Sequence, residues 1–277
     1  MGKTILNGDI IKILKREVEA IREQNNIVNL ILRNDVFALL DAQECTVLYF
    51  PLKDTIEGFK TVKYVDGKNE QFIYINTAMN EDIQVFTAAH ELGHLINIDG
   101  IVCDELKLED CSRKMREDII DRFAAELLMD RDTFNKLFII QIKKYVDEEG
   151  IISAEDMVKT IVYLMDTFMV PYDSVVRRLC EINKISEAIR DLLLDKKVIS
   201  QSIIEKTIEE GKYRRLKPTN IKSFGDLPLF LEKLDTRGEI SENRLLNIMN
   251  LFGIKEFDET SLSKVENIQL EKGSCNE

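Results

Sequence analysis

The chain has 277 residues but only two histidines, and both fall in one pentapeptide, His90-Glu91-Leu92-Gly93-His94. Two histidines placed at random would stand four apart in about one chain in 140, and a glutamate beside the first lowers the coincidence to roughly one in a thousand. Positions i and i+4 of a helix project from one face. Both imidazoles can therefore reach a single Zn²⁺, while Glu91 sits beside the water such an ion would hold. The pentapeptide commits this stretch to a helix and points its chemistry toward zinc-dependent hydrolysis, with His90 and His94 as ligands and Glu91 as the base.

On either side the chain reads as mixed. Ile10, Ile11, Leu14, Val18 and Ile21 recur at helical spacing and residues 27–40 repeat the pattern, which predicts two opening helices. The period then changes. Residues 46–50, 59–65 and 71–75 are short and rich in β-branched and aromatic side chains, with Asp66-Gly67 as a hairpin turn, which predicts a small antiparallel sheet. Asn80, Glu81 and Asp82 open the motif helix, which is expected to stop near Asp99-Gly100. Gly93 inside it costs about 1 kcal/mol relative to Ala, acceptable where close packing beside a metal needs a missing side chain. A charged loop over 99–112 then leads to a helix over 115–129. Beyond 135 everything reads as helical: Ser153-Ala154-Glu155-Asp156 is a capping box for a helix reaching Phe168, and Pro171 marks a turn.

Catalytic zinc takes three protein ligands and leaves a fourth position open. A third histidine six residues after the second would fall at position 100, where Gly100 stands, so the remaining common solution is a carboxylate from a downstream helix. Glu117 and Asp121 lie one turn apart on the 115–129 helix, the spacing of a ligand and of an acid that accepts a hydrogen bond from a ligand imidazole. Glu117 is the candidate ligand and Asp121 its companion. Asp99, Asp104, Glu105 and Glu109 compete for the ligand role, and Cys103 and Cys111 are further soft donors nearby. Glu91 would take a proton from the attacking water and return it to the leaving amine.

A formal net charge of −12 opposes nonspecific attachment to nucleic acid or anionic membrane, and the run 212–217 reads as a solvated face. Direct nucleic-acid binding is not expected. Cys45, Cys103, Cys111, Cys180 and Cys275 are odd in number and form no C-x-x-C pair, so they read as reduced thiols. The N-terminus lacks an apolar leader, and no stretch approaches the roughly 18 apolar residues of a membrane span, so a cytoplasmic location is expected.

In order and spacing, Tyr74-Ile75-Asn76, the run from Phe86 to His94, and Glu117 with the run from Asp121 to Met129 resemble the ImmA/IrrE family of metallo-endopeptidases. The resemblance covers about residues 27–135, and more loosely 167–179. It implies a minimal zincin with a gluzincin-like zinc site, and a role in cutting a DNA-binding transcriptional repressor of a phage, mobile element or stress response. The chain departs from the family at Ile119-Ile120, where an acidic-small pair is usual, and at Asp130, where a proline commonly stands. The expected architecture is α+β: a zincin-like domain over 1–135, a helix-turn-helix-like segment over 136–185, and a helical region of unknown role over 186–277. Substrate would add as a strand along a sheet edge, with 71–75 as the expected edge. A second reading is a non-proteolytic zinc-containing module that sequesters or senses through its helical half; the intact Glu91 argues against it. A third assigns 167–180, with Arg177 and Arg178, to DNA, against the overall acidity.

Overall fold

A computed structural model describes residues 8–53, 55–65, 68–108, 111–214, 216–224 and 227–254. The Asp66-Gly67 turn, Glu109, Arg215 and Cys275 lie outside these residues. The chain divides into two units, Met1–Ile221 and Lys222–Glu277, so the boundaries drawn from the sequence at 135 and 185 both fall inside the first.

The first unit opens with α1 (Gly8–Gln24), which buries Ile10, Ile13, Leu14 and Val18 at helical spacing. The repeat over 27–40 does not yield one helix. Asn26 and Arg33 take left-handed backbone angles, and only Asp35–Asp41 is helical, as α2. Buried Arg22 holds the intervening loop by donating to the carbonyls of Asn29 and Leu30, and it also reaches Leu127 O at 2.7 Å. Apolar spacing survives there because loop residues such as Leu32 still plug the core.

The three predicted strands form as β1 (Thr46–Phe50), β2 (Gly58–Val65) and β3 (Lys68–Asn76). The sheet they build is mixed rather than antiparallel: β2 pairs antiparallel with β3, but β1 pairs parallel with it. The segment 51–57 is the reason. It leaves β1, passes over the slot that β3 will fill, and starts β2 on the far side, so β3 returns between them in the direction of β1. Asn76, fully buried at the end of β3, secures this crossing. Its side-chain amide donates to Ile56 O at 2.8 Å and its Oδ1 accepts from Leu52 N at 3.0 Å, while its backbone N–H donates to Glu57 O. A second correction follows. The 71–75 strand is the inner one, bonded on both sides, and the free edge beside the motif helix belongs to β2.

The motif helix is α3 (Glu81–Leu95), with Asn80 in extended conformation at its start. It stops before the expected Asp99-Gly100, and the predicted charged loop contains α4 (Ile98–Glu105), separated by left-handed Asn97. Then come α5 (Arg113–Leu128), capped by Ser112 Oγ accepting from Met115 N, and α6 (Arg131–Ile142), capped by Asp130 Oδ1 accepting from Thr133 N at 2.9 Å. The aspartate in place of proline thus still ends one helix and starts the next. α7 (Ala154–Phe168) begins at the Ser153 cap, and α8 (Tyr172–Glu181), α9 (Glu187–Leu194) and α10 (Gln201–Glu210) complete the unit around one continuous core.

Two further expectations change. Cys103 and Cys111 form a disulfide, so neither is a reduced thiol or a free ligand; the end of α4 turns back and brings the two Cα atoms to 6.6 Å. Arg178 in α8 has no exposed surface and grips Glu126 Oε2 at 2.7 Å, so it faces the core rather than DNA. Among the described residues no helix is long and apolar enough to cross a membrane. The second unit holds a two-residue strand β4 (Ser223–Phe224), which interrupts the all-helical reading, and helices α11 (Leu227–Thr236) and α12 (Glu242–Phe252). These helices meet through Leu227, Leu231, Leu245 and Met249.

Candidate metal centre

α3 lies between the sheet and α5, and small residues let it fit. Ala88, Ala89 and Gly93 are buried in it. A Cβ on Gly93 would stand 2.9 Å from the Phe123 ring and 3.2 Å from Ile120, so its missing side chain serves the approach of α5. That approach brings Glu117, one turn before Ile120, over the two histidines.

His90 Nε2 and His94 Nε2 stand 3.1 Å apart, and Glu117 Oε2 lies 3.5 Å from the first and 3.4 Å from the second. A tetrahedral ion 2.0–2.2 Å from its ligands sets neighbouring donor atoms about 3.3–3.6 Å apart. The near-equilateral triangle therefore has the size of one face of such a coordination shell. Two imidazoles and a carboxylate are also the donor types borderline-soft Zn²⁺ accepts. Among the described residues this is the only group of three such side chains with the spacing to hold a metal.

Among the described residues none of the competing acids joins this group. Asp99 accepts from Arg116 Nη1 at 2.7 Å, Glu105 pairs with Arg16, and Asp104 is exposed on α4. Asp121 Oδ1 stands 2.9 Å from His90 Nδ1. With the proton on Nδ1 shared with this carboxylate, the Nε2 lone pair points to the triangle. Burial alone would lower the pKa of His90, but the hydrogen bond and charge of Asp121, helped by Glu91 and Glu117, outweigh it and raise the value. His94 is lowered by burial and by the neighbouring His90.

Glu91 is 4% exposed, and its Oε2 has no hydrogen-bond partner among the described residues. Burial pushes its pKa up to about 7; Glu117 adds to the shift, while His90 and Lys60 oppose it. A carboxyl group poised near neutrality can both accept and return a proton.

Three residues of this wall carried no signal in the sequence. Glu57 and Gly58, at the end of the crossing segment, line a pocket of about 160 Å³ with Phe86, Thr87, His90, Glu91 and Asp121. Gly58 must lack a side chain: a Cβ there would lie 2.5 Å from the Thr87 methyl and 2.8 Å from Tyr74 O. Lys60, two residues along β2, donates to His94 O at 2.7 Å and closes the far end of the helix. Only their place after the crossing brings them here, and no spacing rule reports it.

The family model of the IrrE N-terminal-like domain, Peptidase_M78, matches residues 40–180, just over half of the 277. No curated protein matches the chain. Among solved structures, the chain is similar to a Mycobacterium tuberculosis transcriptional regulator, with 16% identity and a TM-score of 0.41 over 60% of this chain. It spans 46% of that protein's length.

Proposed function

The chain belongs to the Peptidase_M78 family, and on that premise we propose that it is a zinc-dependent endopeptidase acting on a protein partner. The observation that carries the reading is Glu91 Oε2, buried and unpartnered beside a triangle of donor atoms of zinc-shell dimensions. A purely structural metal site has no use for such a group.

His90, His94 and Glu117 would hold the ion, with Asp121 fixing the orientation of the His90 ring. When bound, zinc supplies a Lewis acid for the scissile carbonyl and makes hydroxide available near neutral pH. Glu91 Oε2 takes the proton of the attacking water and delivers it to the leaving nitrogen, so its carboxyl group begins and ends the cycle ionised. The substrate chain is placed by β2, the free edge nearest α3, where Phe59, Val62 and Tyr64 present apolar side chains to solvent. The family resemblance supplies the partner class, a helix-turn-helix repressor. The net charge of −12 suits a basic DNA-binding protein.

The test compares wild type with Glu91→Gln, both zinc-loaded, against candidate repressors and a proteome-derived peptide mixture. Glu91→Gln is expected to keep zinc and thermal stability while losing cleavage by several orders of magnitude. Undiminished cleavage by the variant would sink the mechanism. Zinc binding without cleavage by wild type would favour a non-proteolytic regulatory module.

A further inference from the structure

The small pocket at Glu91 and a cleft of about 1210 Å³ share Glu57, Phe86 and Asp121 in their lining. Asp82 and Tyr172 line the cleft as well. Each is only 7% exposed, and Asp82 Oδ1 and Tyr172 Oη have no hydrogen-bond partner among the described residues. Unsatisfied buried polar atoms cost stability, so each requires an explanation, and Asp82 lies nearer the metal triangle because it is on the same helix. Capping accounts for little of it: backbone N–H groups of Asp82 and Ile83 reach the Asp82 carboxylate but leave Oδ1 unmet.

We propose that this part of the cleft is a cation-accepting subsite, built from Asp82 and Glu57, that holds a lysine or arginine side chain of the peptide substrate. The proposal rests on the peptidase reading. The chemistry of the wall selects the ligand class. An anion would meet two carboxylates, and an apolar group would leave Oδ1 unsatisfied. A guanidinium or ammonium brings several donors and the missing charge. The charges acting on Asp82 are those of Glu81 and Glu57, both negative, and burial holds its pKa above the ordinary carboxylate value. Of the cations lining the cleft, Arg122 is committed to Glu126 and Glu181, while Lys114, Arg177, Lys196 and Lys217 are not among the charges that act on Asp82.

The helix also sets the distance. Asp82, Phe86 and His90 follow at intervals of four on one face of α3, which places Asp82 about 12 Å along the axis from His90. An extended peptide advances about 3.3 Å per residue, so the basic side chain belongs three or four residues from the bond that is cut.

The experiment incubates the zinc-loaded Glu91→Gln full chain with a proteome-derived peptide mixture and sequences the bound fraction. Lysine- and arginine-containing peptides are expected to be enriched at least tenfold over input. Adding Asp82→Asn should remove the enrichment and Glu57→Gln should reduce it severalfold, whereas Asp132→Asn, which removes an exposed charge on α6, should leave it intact. Asp82→Asn should melt at or above the parent temperature, since the substitution relieves a buried carboxylate. No enrichment, or equal enrichment with Asp82→Asn, overturns the subsite; if Asp82→Asn fails to fold, equal enrichment with Glu57→Gln overturns it instead. Wild-type cleavage separates the two proposals. Cuts with no basic residue three or four positions away overturn the subsite and leave the peptidase. Enrichment without any cleavage leaves the subsite and overturns the peptidase.

Discussion

Replacing Gly93 by alanine tests whether helix contact, rather than the histidine motif alone, sets the metal triangle. The added Cβ would lie 2.9 Å from Phe123 Cδ1, about 0.6 Å inside the ~3.5 Å at which two carbons pack well, and 3.2 Å from Ile120 Cγ2. Phe123 and Ile120 are both fully buried, so neither can swing aside and α5 must move. Overpacking of this kind costs about 1–3 kcal/mol, and the better helix propensity of alanine returns about 1. The net loss is about 1 kcal/mol, a melting shift of roughly 2–4 °C in a unit of this size. Zinc affinity should suffer more visibly. Glu117 rides on α5 one turn before Ile120, and a shift of about half an ångström stretches the 3.4 and 3.5 Å sides of the triangle, so about tenfold weaker binding is expected, the lower range for supports of a metal ligand. Calorimetry of the apo protein and competition with a chelating zinc indicator supply both numbers. Gly8→Ala, where no described residue lies within 4 Å of the added carbon, is the control. If Gly93→Ala gains the stability that propensity alone predicts and binds zinc like wild type, the helix contact does not govern the triangle.

Three further outcomes are expected. The purified chain should carry about one zinc, and His90→Ala, His94→Ala or Glu117→Ala should each release it by elemental analysis; retention in Glu117→Ala would displace that residue from the ligand set. Asp121→Ala should weaken zinc binding or cleavage by about 10–100-fold, while Asp118→Ala, rotated by about 100° from Glu117 on α5, should not; equal effects would refute the imidazole-orienting role. Arg178→Leu leaves buried Glu126 with only Arg122 and removes the tie from α8 to Met129 O, so urea unfolding should show a loss of about 3–5 kcal/mol, and a neutral result would show that the pair is dispensable.

Different parts of this molecule were legible to different degrees, for physical reasons. The grouping of His90, His94 and Glu117 could be read because helical spacing puts side chains of known type on one face. The strands could be read because β-branched and aromatic residues cluster there. Strand order could not, since it depends on the path of 51–57, which has no period of its own. The loop reading of 99–112 failed because α4 offers few apolar positions, Ile98, Val102 and Cys103 being its buried ones. The single opening pattern over 27–40 misled for the opposite reason: Leu32 plugs the core from a loop held by Arg22. Glu57, Gly58 and Lys60 reach the site only through tertiary structure, and the Cys103–Cys111 bridge depends on a helix end turning back on itself.

The crossing held by Asn76 places one wall of the pocket at its junction with β2, on Glu57 and Gly58. Its ends are fixed, by β1 on one side and by the Asn76 hydrogen bonds to Leu52, Ile56 and Glu57 on the other, while the side chains of Leu52 and Ile56 within it are exposed. Such a segment can change composition or length between its fixed ends without disturbing the sheet, because the Asn76 bond to Glu57 and the pairing of Gly58 with Ile75 hold the pocket wall in place. The pocket wall and the triangle of donor atoms are therefore held by different parts of the chain, Glu57 by the crossing and His90, His94 and Glu117 by two helices.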